Sequence, residues 1–198
     1  MRLVVNEFIS LDGVVQAPGG AEEDTDGGFR HGGWTHPYFD EEVIGGFIAK
    51  GASTTDALLF GRRTWQTMAG AWPERAGDPF ADWMNSVRKY VVSDTLTDAE
   101  VAGWENSVRF GGAEGVAEIR KLREGAGQDL TVMGSPTLVR TLLAEGLVDE
   151  LRLVVMPVLL GGGKRIFPED GGLRAMELVS SAVNAKGAQV VTYRAVQA

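Results

Sequence analysis

Twice in this chain a short apolar run stops at a glycine and hands over at once to a helix start, which commits the chain to strands that deliver helices at one end of a sheet. The first case is Ala57 to Trp65, ALLFGRRTW, where the run ends at Phe60 and is followed by Gly61, Arg62, Arg63 and Thr64. Free backbone N–H groups at a helix start attract anions; Gly61 lets the backbone come close to one, the arginines add charge and Thr64 adds a hydroxyl donor. A turn glycine followed by a solvated helix start is the other reading of the same residues. The second case is Asp129 to Leu143, DLTVMGSPTLVRTLL. Here a strand reaches Gly134, Ser135 reads as an N-cap, and Pro136 suits the first helical position because its missing N–H would be unpaired there anyway. Leu138, Val139, Leu142 and Leu143 then fall at helical spacing, as they also would in an ordinary capped helix. Ligands of open parallel sheets gather at the carboxyl ends of strands, so two such turns on neighbouring strands would hold the two phosphates of a dinucleotide.

The rest of the chain alternates in the same way. Leu3 to Ile9 reads as a first strand in the sheet centre, closed by an Asp12-Gly13 turn. Gln16 to Thr35 is rich in Gly, Asp and Glu without periodicity; this is either a lid over the active site or an excursion kept mobile by its composition. Asp40 to Ala52 has an amphipathic pattern through Val43, Ile44, Phe47 and Ile48, weakened at Gly45-Gly46, where a flat ligand or the sheet would pack closely. A helix from Thr64, a short helix over Phe80 to Val87 and a polar helix over Glu114 to Arg123 alternate with strands at Tyr90 to Ser93, Val108 to Phe110 and Leu130 to Met133. Glu150 to Leu160 is strongly apolar, with Pro157 marking a bulge or strand end. Met176 to Val183 and Gln189 to Arg194 close the chain as an antiparallel hairpin. The count is about eight strands and about four helices: an α/β chain with a mostly parallel sheet, an antiparallel carboxy-terminal edge, and a single domain over residues 1–198.

Composition removes whole classes of function. Twenty-seven acidic against nineteen basic residues give a net charge of −8, which disfavours nucleic acid and makes any anion site local. With no cysteine there is no disulfide, thiolate metal site or cysteine nucleophile, and no zinc deaminase element. His31 and His36 are the two histidines, too few for a histidine-based metal centre, so no metal is expected. No apolar stretch approaches a membrane span and no export signal is read, so a cytosolic protein is expected. Gly161-Gly162-Gly163-Lys164 fails as a phosphate loop of triphosphatases, because Val158 and Arg165 stand where Gly and Ser or Thr are required. A G-x-G-x-x-G fingerprint is also missing after every strand.

GRRTW after a strand, KYVVSD from Lys89 to Asp94, MGSPTL, MPVLLGGGKRIF from Met156 to Phe167 and NEFISLDGVV from Asn6 to Val15 occur in an order that resembles the dihydrofolate reductase superfamily. Within it they are most similar to stand-alone relatives of the pyrimidine reductase domain of the riboflavin pathway. The resemblance implies that fold and an NADPH-dependent reductase of a small pterin-like, pyrimidine-like or carbonyl compound, with NADH also open. It implies Gly61, Arg62, Arg63 and Thr64 around the cofactor phosphates, Ser93 with one arginine near the 2′-phosphate, and Gly134, Ser135, Pro136, Thr137 and Leu138 around the pyrophosphate. Two departures stand out: Ser135 replaces a glycine of many relatives, and Asp94 would repel a 2′-phosphate if it pointed inward. Asp40, near the first helix start, does not clearly match the pterin-gripping carboxylate of dihydrofolate reductases. Asp12, Trp34, Tyr38 and Asp40 are the candidate substrate-pocket residues, with Asp12 equally readable as a turn residue bonding its own backbone. The proton donor is not identifiable. A homodimer is expected, covering an apolar strand edge near Val154 to Leu160. A non-catalytic ligand-binding protein that keeps the nucleotide pocket is the alternative.

Overall fold

The computed structural model describes residues 1–196. Eight strands form one sheet: β1 (Arg2–Ser10), β2 (Thr55–Gly61), β3 (Arg88–Val92), β4 (Ser107–Phe110), β5 (Asp129–Val132), β6 (Glu150–Met156), β7 (Met176–Val183) and β8 (Gln189–Ala195). Their order is β4-β3-β2-β5-β1-β6-β8-β7. All pairs from β4 to β6 are parallel, and β8 joins β6 and β7 antiparallel. This is the expected architecture, with β1 in the interior.

Between the strands run α1 (Gly46–Thr54), α2 (Arg62–Ala71), α3 (Pro79–Ser86), α4 (Asp98–Val101), α5 (Gly112–Glu124) and α6 (Pro136–Ala144). Among the described residues six α-helices flank the sheet, against an expected count of about four. The short α4, absent from the expected elements, is set by a capping box in which Thr97 and Glu100 satisfy each other's backbone N–H groups. The expected helix over Asp40 to Ala52 begins as a π-helical turn, Glu41–Gly45, before α1.

Alternation along the strands explains why both faces are covered. On β2, Ala57 and Leu59 join the cluster under α5 and α6, whereas Leu58 and Phe60 join Trp65, Met84 and Trp104 on the other face. On β6, Leu151 and Leu153 face the first cluster, and Val154 and Met156 face a third with Trp34 and Ile44. Strands buried on both faces read as continuous apolar runs.

That rule corrects the expected edge. The strand of Val154 is flanked by β1 and β8, so it is interior; it ends at Met156, one residue before Pro157. The exposed edge on that side is β7, where Leu178, Val179 and Val183 are 53%, 45% and 62% exposed.

Opposite the carboxyl ends of the strands lies a charged core. Asp129 is fully buried and accepts from Arg2, from Arg152 at 2.9 Å and from Thr54 at 2.8 Å, while Arg152 also reaches Glu150 at 2.7 Å.

Candidate active site

The carboxyl ends of β2 and β5, which are neighbours in the sheet, bring the two glycine turns into contact. Ser135 Oγ donates to Thr64 Oγ1 at 2.8 Å across the gap. A Cβ on Gly61 would lie 2.5 Å from Ser135 Oγ, and one on Gly134 would lie 2.8 Å from Thr64 Cγ2. Gly134 also has φ +79°. Gly134→Ala therefore combines a left-handed backbone with a clash and is expected to cost about 2 kcal/mol or more, read as a shift in the urea unfolding midpoint.

Ser135 does hold the N-cap position of α6, but its hydroxyl does not cap. At φ +66° it is in the left-handed region, and the side chain turns away from the helix toward Thr64. That backbone is one that favours glycine. Pro136 is the first residue of α6, Thr137 is exposed and Leu138 is buried in the core. On the other turn α2 starts at Arg62, whose guanidinium lies 3.4 Å from Gln66 Oε1, while Arg63 pairs with Asp26.

Ser93 follows β3 and accepts the N–H groups of Thr95 and Leu96 at 3.1 and 3.0 Å. Asp94 turns onto the N–H of Gly112 at 2.6 Å, at the start of α5. Arg109 of β4, a residue the sequence reading passed over, donates to the Ser93 carbonyl at 3.2 Å and to Asp98 at 2.7 Å. It puts an arginine beside Ser93.

The expected lid is a tied strap. Gln16 donates to the carbonyls of Asp24 and Asp26 at 3.0 Å each, Trp34 Nε1 donates to the Gln16 carbonyl at 2.8 Å, and Gly33 N–H closes on Ala17. Lys164 holds Asp24 and Asp26 from below, and the strap crosses to Arg63 through Asp26. An open cleft of about 420 Å³ lies between it and the Gly161 to Gly163 turn, with Phe29, Arg30 and His31 on its wall.

The four substrate-pocket candidates have structural partners. Asp12 accepts from Ser10 Oγ at 2.7 Å and from the N–H groups of Leu160 and Gly161 at 3.1 and 2.9 Å, bonds that hold its carboxyl down at about 2. Trp34 is buried in the core cluster with Ile44 and Met156. Tyr38 accepts from Asn184 through its carbonyl at 2.8 Å, and Asp40 caps the π-helical turn by accepting from Val43 and Ile44. A short polar residue before a helical run is a capping signal, and Asp40 fills that role here.

A different cleft opens on the sheet face that carries α1 and α3. It is a narrow crevice of about 10 Å³, lined by Asn6, Ile48, Gly51, Ala52, Thr55, Phe80, Trp83, Thr131 and Met133. None of Asp12, Trp34, Tyr38 and Asp40 lines it. Thr55 and Thr131 hydroxyls lie 2.7 Å apart beside it. At that size it has room for about one water and none for a ring.

The RibD C-terminal domain family model matches residues 2–190. The chain belongs to this family. It is 25% identical over 201 residues to the uncharacterized protein YyaP of Bacillus subtilis (strain 168), covering 97% of this chain and 94% of that one. Among solved structures it is similar to a riboflavin-biosynthesis-like protein of Shewanella sp. PV-4, with TM-score 0.74, 23% identity and 100% of both chains covered. It is also similar to dihydrofolate reductase of Enterococcus faecalis complexed with NADP(H) and RAB-propyl, with TM-score 0.60 and 16% identity over 99% of this chain and 97% of that one. This RibD-type domain therefore has the dihydrofolate reductase-like fold expected from its motifs. Among its described residues no helix is long and apolar enough to cross a membrane.

Proposed function

We propose that this RibD-type protein is an NADPH-dependent reductase of a small heterocycle, acting as a cytosolic, single-domain homodimer. The observation that carries the reading is the meeting of two glycine turns on adjacent strand ends, with Ser135 bonded to Thr64 at 2.8 Å. Gly61, Arg62, Arg63 and Thr64 would hold one side of the cofactor's phosphates and Gly134, Ser135, Pro136, Thr137 and Leu138 the other. Ser93 and Arg109 would meet the 2′-phosphate, with Asp94 kept off it by the Gly112 N–H. When bound, the nicotinamide supplies the hydride, and the protein's part is to orient the two rings and exclude water.

The cleft beside the Gly161 to Gly163 turn, about 420 Å³, has room for a small heterocyclic substrate, whereas the crevice between α1 and α3 does not.

Calorimetric titration with NADPH and with NADH tests the reading. Selective NADPH binding is expected; no binding of either leaves a fold kept for another ligand. For the homodimer, β7 with Leu178, Val179 and Val183 is the edge to cover. Light scattering should give about twice 21.2 kDa, and Leu178→Lys with Val183→Lys should return the monomer mass.

A further inference from the structure

Glu7 is an acid on the face of β1 that otherwise feeds the core. Its neighbours in the alternation, Val5 and Ile9, belong to the cluster under α5 and α6, and Glu7 itself is 7% exposed. Its Oε1 accepts the N–H of Gly134 at 3.0 Å, which ties the acid to the turn between β5 and α6. Burial raises this carboxyl to about 8; the Gly134 N–H pulls it down and the charge of Glu23 pushes it further up. Below that value it is a carboxylic acid, and with Oε1 accepting, the proton resides on Oε2 and makes it a donor.

We propose that Glu7 sets the upper pH limit of anion binding at the β5–α6 turn: as a carboxylic acid it steadies the turn and tolerates a phosphate beside it, and as a carboxylate it repels one. The inference rests on the assignment of that turn to a phosphate.

Glu23 is the charge that acts on it directly, and the other charged groups near the glycine turns come from three elements, the strap, α2 and α6. The strap contributes Glu23, itself raised by burial, held by the N–H groups of Gly19 and Gly20 and facing His36; it also brings Asp24 and Asp26, both on Lys164. Helix α2 contributes Arg62 and Arg63, and α6 contributes Arg140, 3.4 Å from Thr137. Opposite Glu7 on β6 stands Leu153, which adds no charge. The arginines stay charged throughout the neutral and mildly alkaline range, so Glu23 is the competing titration to control.

The test is calorimetric binding of NADPH and of inorganic pyrophosphate by wild type, Glu7→Gln and Glu23→Gln from about pH 6.5 to about pH 9. Glu7→Gln keeps the acceptor for Gly134 but cannot ionise. Because all three proteins meet the same ligand ionisation, the ratio of their affinities isolates the protein group. Wild type is expected to lose about fivefold to tenfold relative to Glu7→Gln between neutral pH and about pH 9, and Glu23→Gln to show the same loss displaced to lower pH, because the Glu23 charge no longer raises Glu7. A wild-type to Glu7→Gln ratio that does not change with pH, or a loss abolished by Glu23→Gln, overturns the inference and leaves the phosphate site standing. No binding of NADPH or pyrophosphate by any of the three at any pH overturns the phosphate assignment and the inference together.

Discussion

Asp129→Ala is expected to destabilise the protein by about 3 kcal/mol, the lower part of the range for breaking a buried ion pair by removing one partner. Asp129 is fully buried and is the shared acceptor for Arg2, Arg152 and Thr54, which come from β1, β6 and α1. Its loss leaves the Arg152 guanidinium, 12% exposed, with the Glu150 carboxylate and the Thr54 hydroxyl, and an uncharged residue cannot offset the desolvation that the Asp129 carboxylate offset. Urea unfolding checks the size. A second arm separates pairing from packing: Arg152→Met in the Asp129→Ala background should restore part of the loss, because no uncompensated charge then remains inside. Additive losses would mean that Asp129 acts through Thr54 and Arg2 instead.

Replacing Arg62 and Arg63 together by alanine is expected to weaken NADPH by about a hundredfold, roughly the value of one to two charge-assisted phosphate contacts. Both side chains start at the amino end of α2, and neither is engaged with the core; Arg63 is 60% exposed and must leave Asp26 to meet a ligand. Stability should hardly move, since exposed ion pairs contribute little. The decisive comparison is with NADH. A much smaller loss for NADH assigns an arginine to the 2′-phosphate, whereas equal losses assign both to the pyrophosphate and leave Arg109 with Ser93 as the 2′ site.

The β-strands were readable because most of them are buried on both faces, so ALLF, LTV and LRLVVM stand out as apolar runs without needing a partner. The same property misled the search for an edge. An apolar run such as Val154 onward marks the interior, and the edge is the strand whose residues are exposed on both sides, β7. The helix over Asp98–Val101 carries its signal in Thr97 and Glu100, a capping box too short and too far from any apolar period to stand out. Trp34 and Tyr38 looked like a substrate wall because they flank a glycine-rich loop; they pack against or beside the core because that loop folds back on Gln16 and Asn184.

What the amino-acid sequence determined by itself was local: the strand-to-helix turns at Gly61 and Gly134, the order of elements, and the charges placed at those turns. Periodicity, caps and glycines act over a few residues, and a few residues suffice to read them. Only the tertiary structure decided which turns touch, which acids are used up and which remain. Ser135 meets Thr64 across 71 positions, Glu7 meets Gly134 across 127, and Asp12 meets Gly161 across 149. Whether a carboxylate becomes a turn clamp, like Asp12, or a buried acid bonded to a glycine turn, like Glu7, depends on desolvation and on N–H groups delivered from distant strands, and no local pattern encodes either.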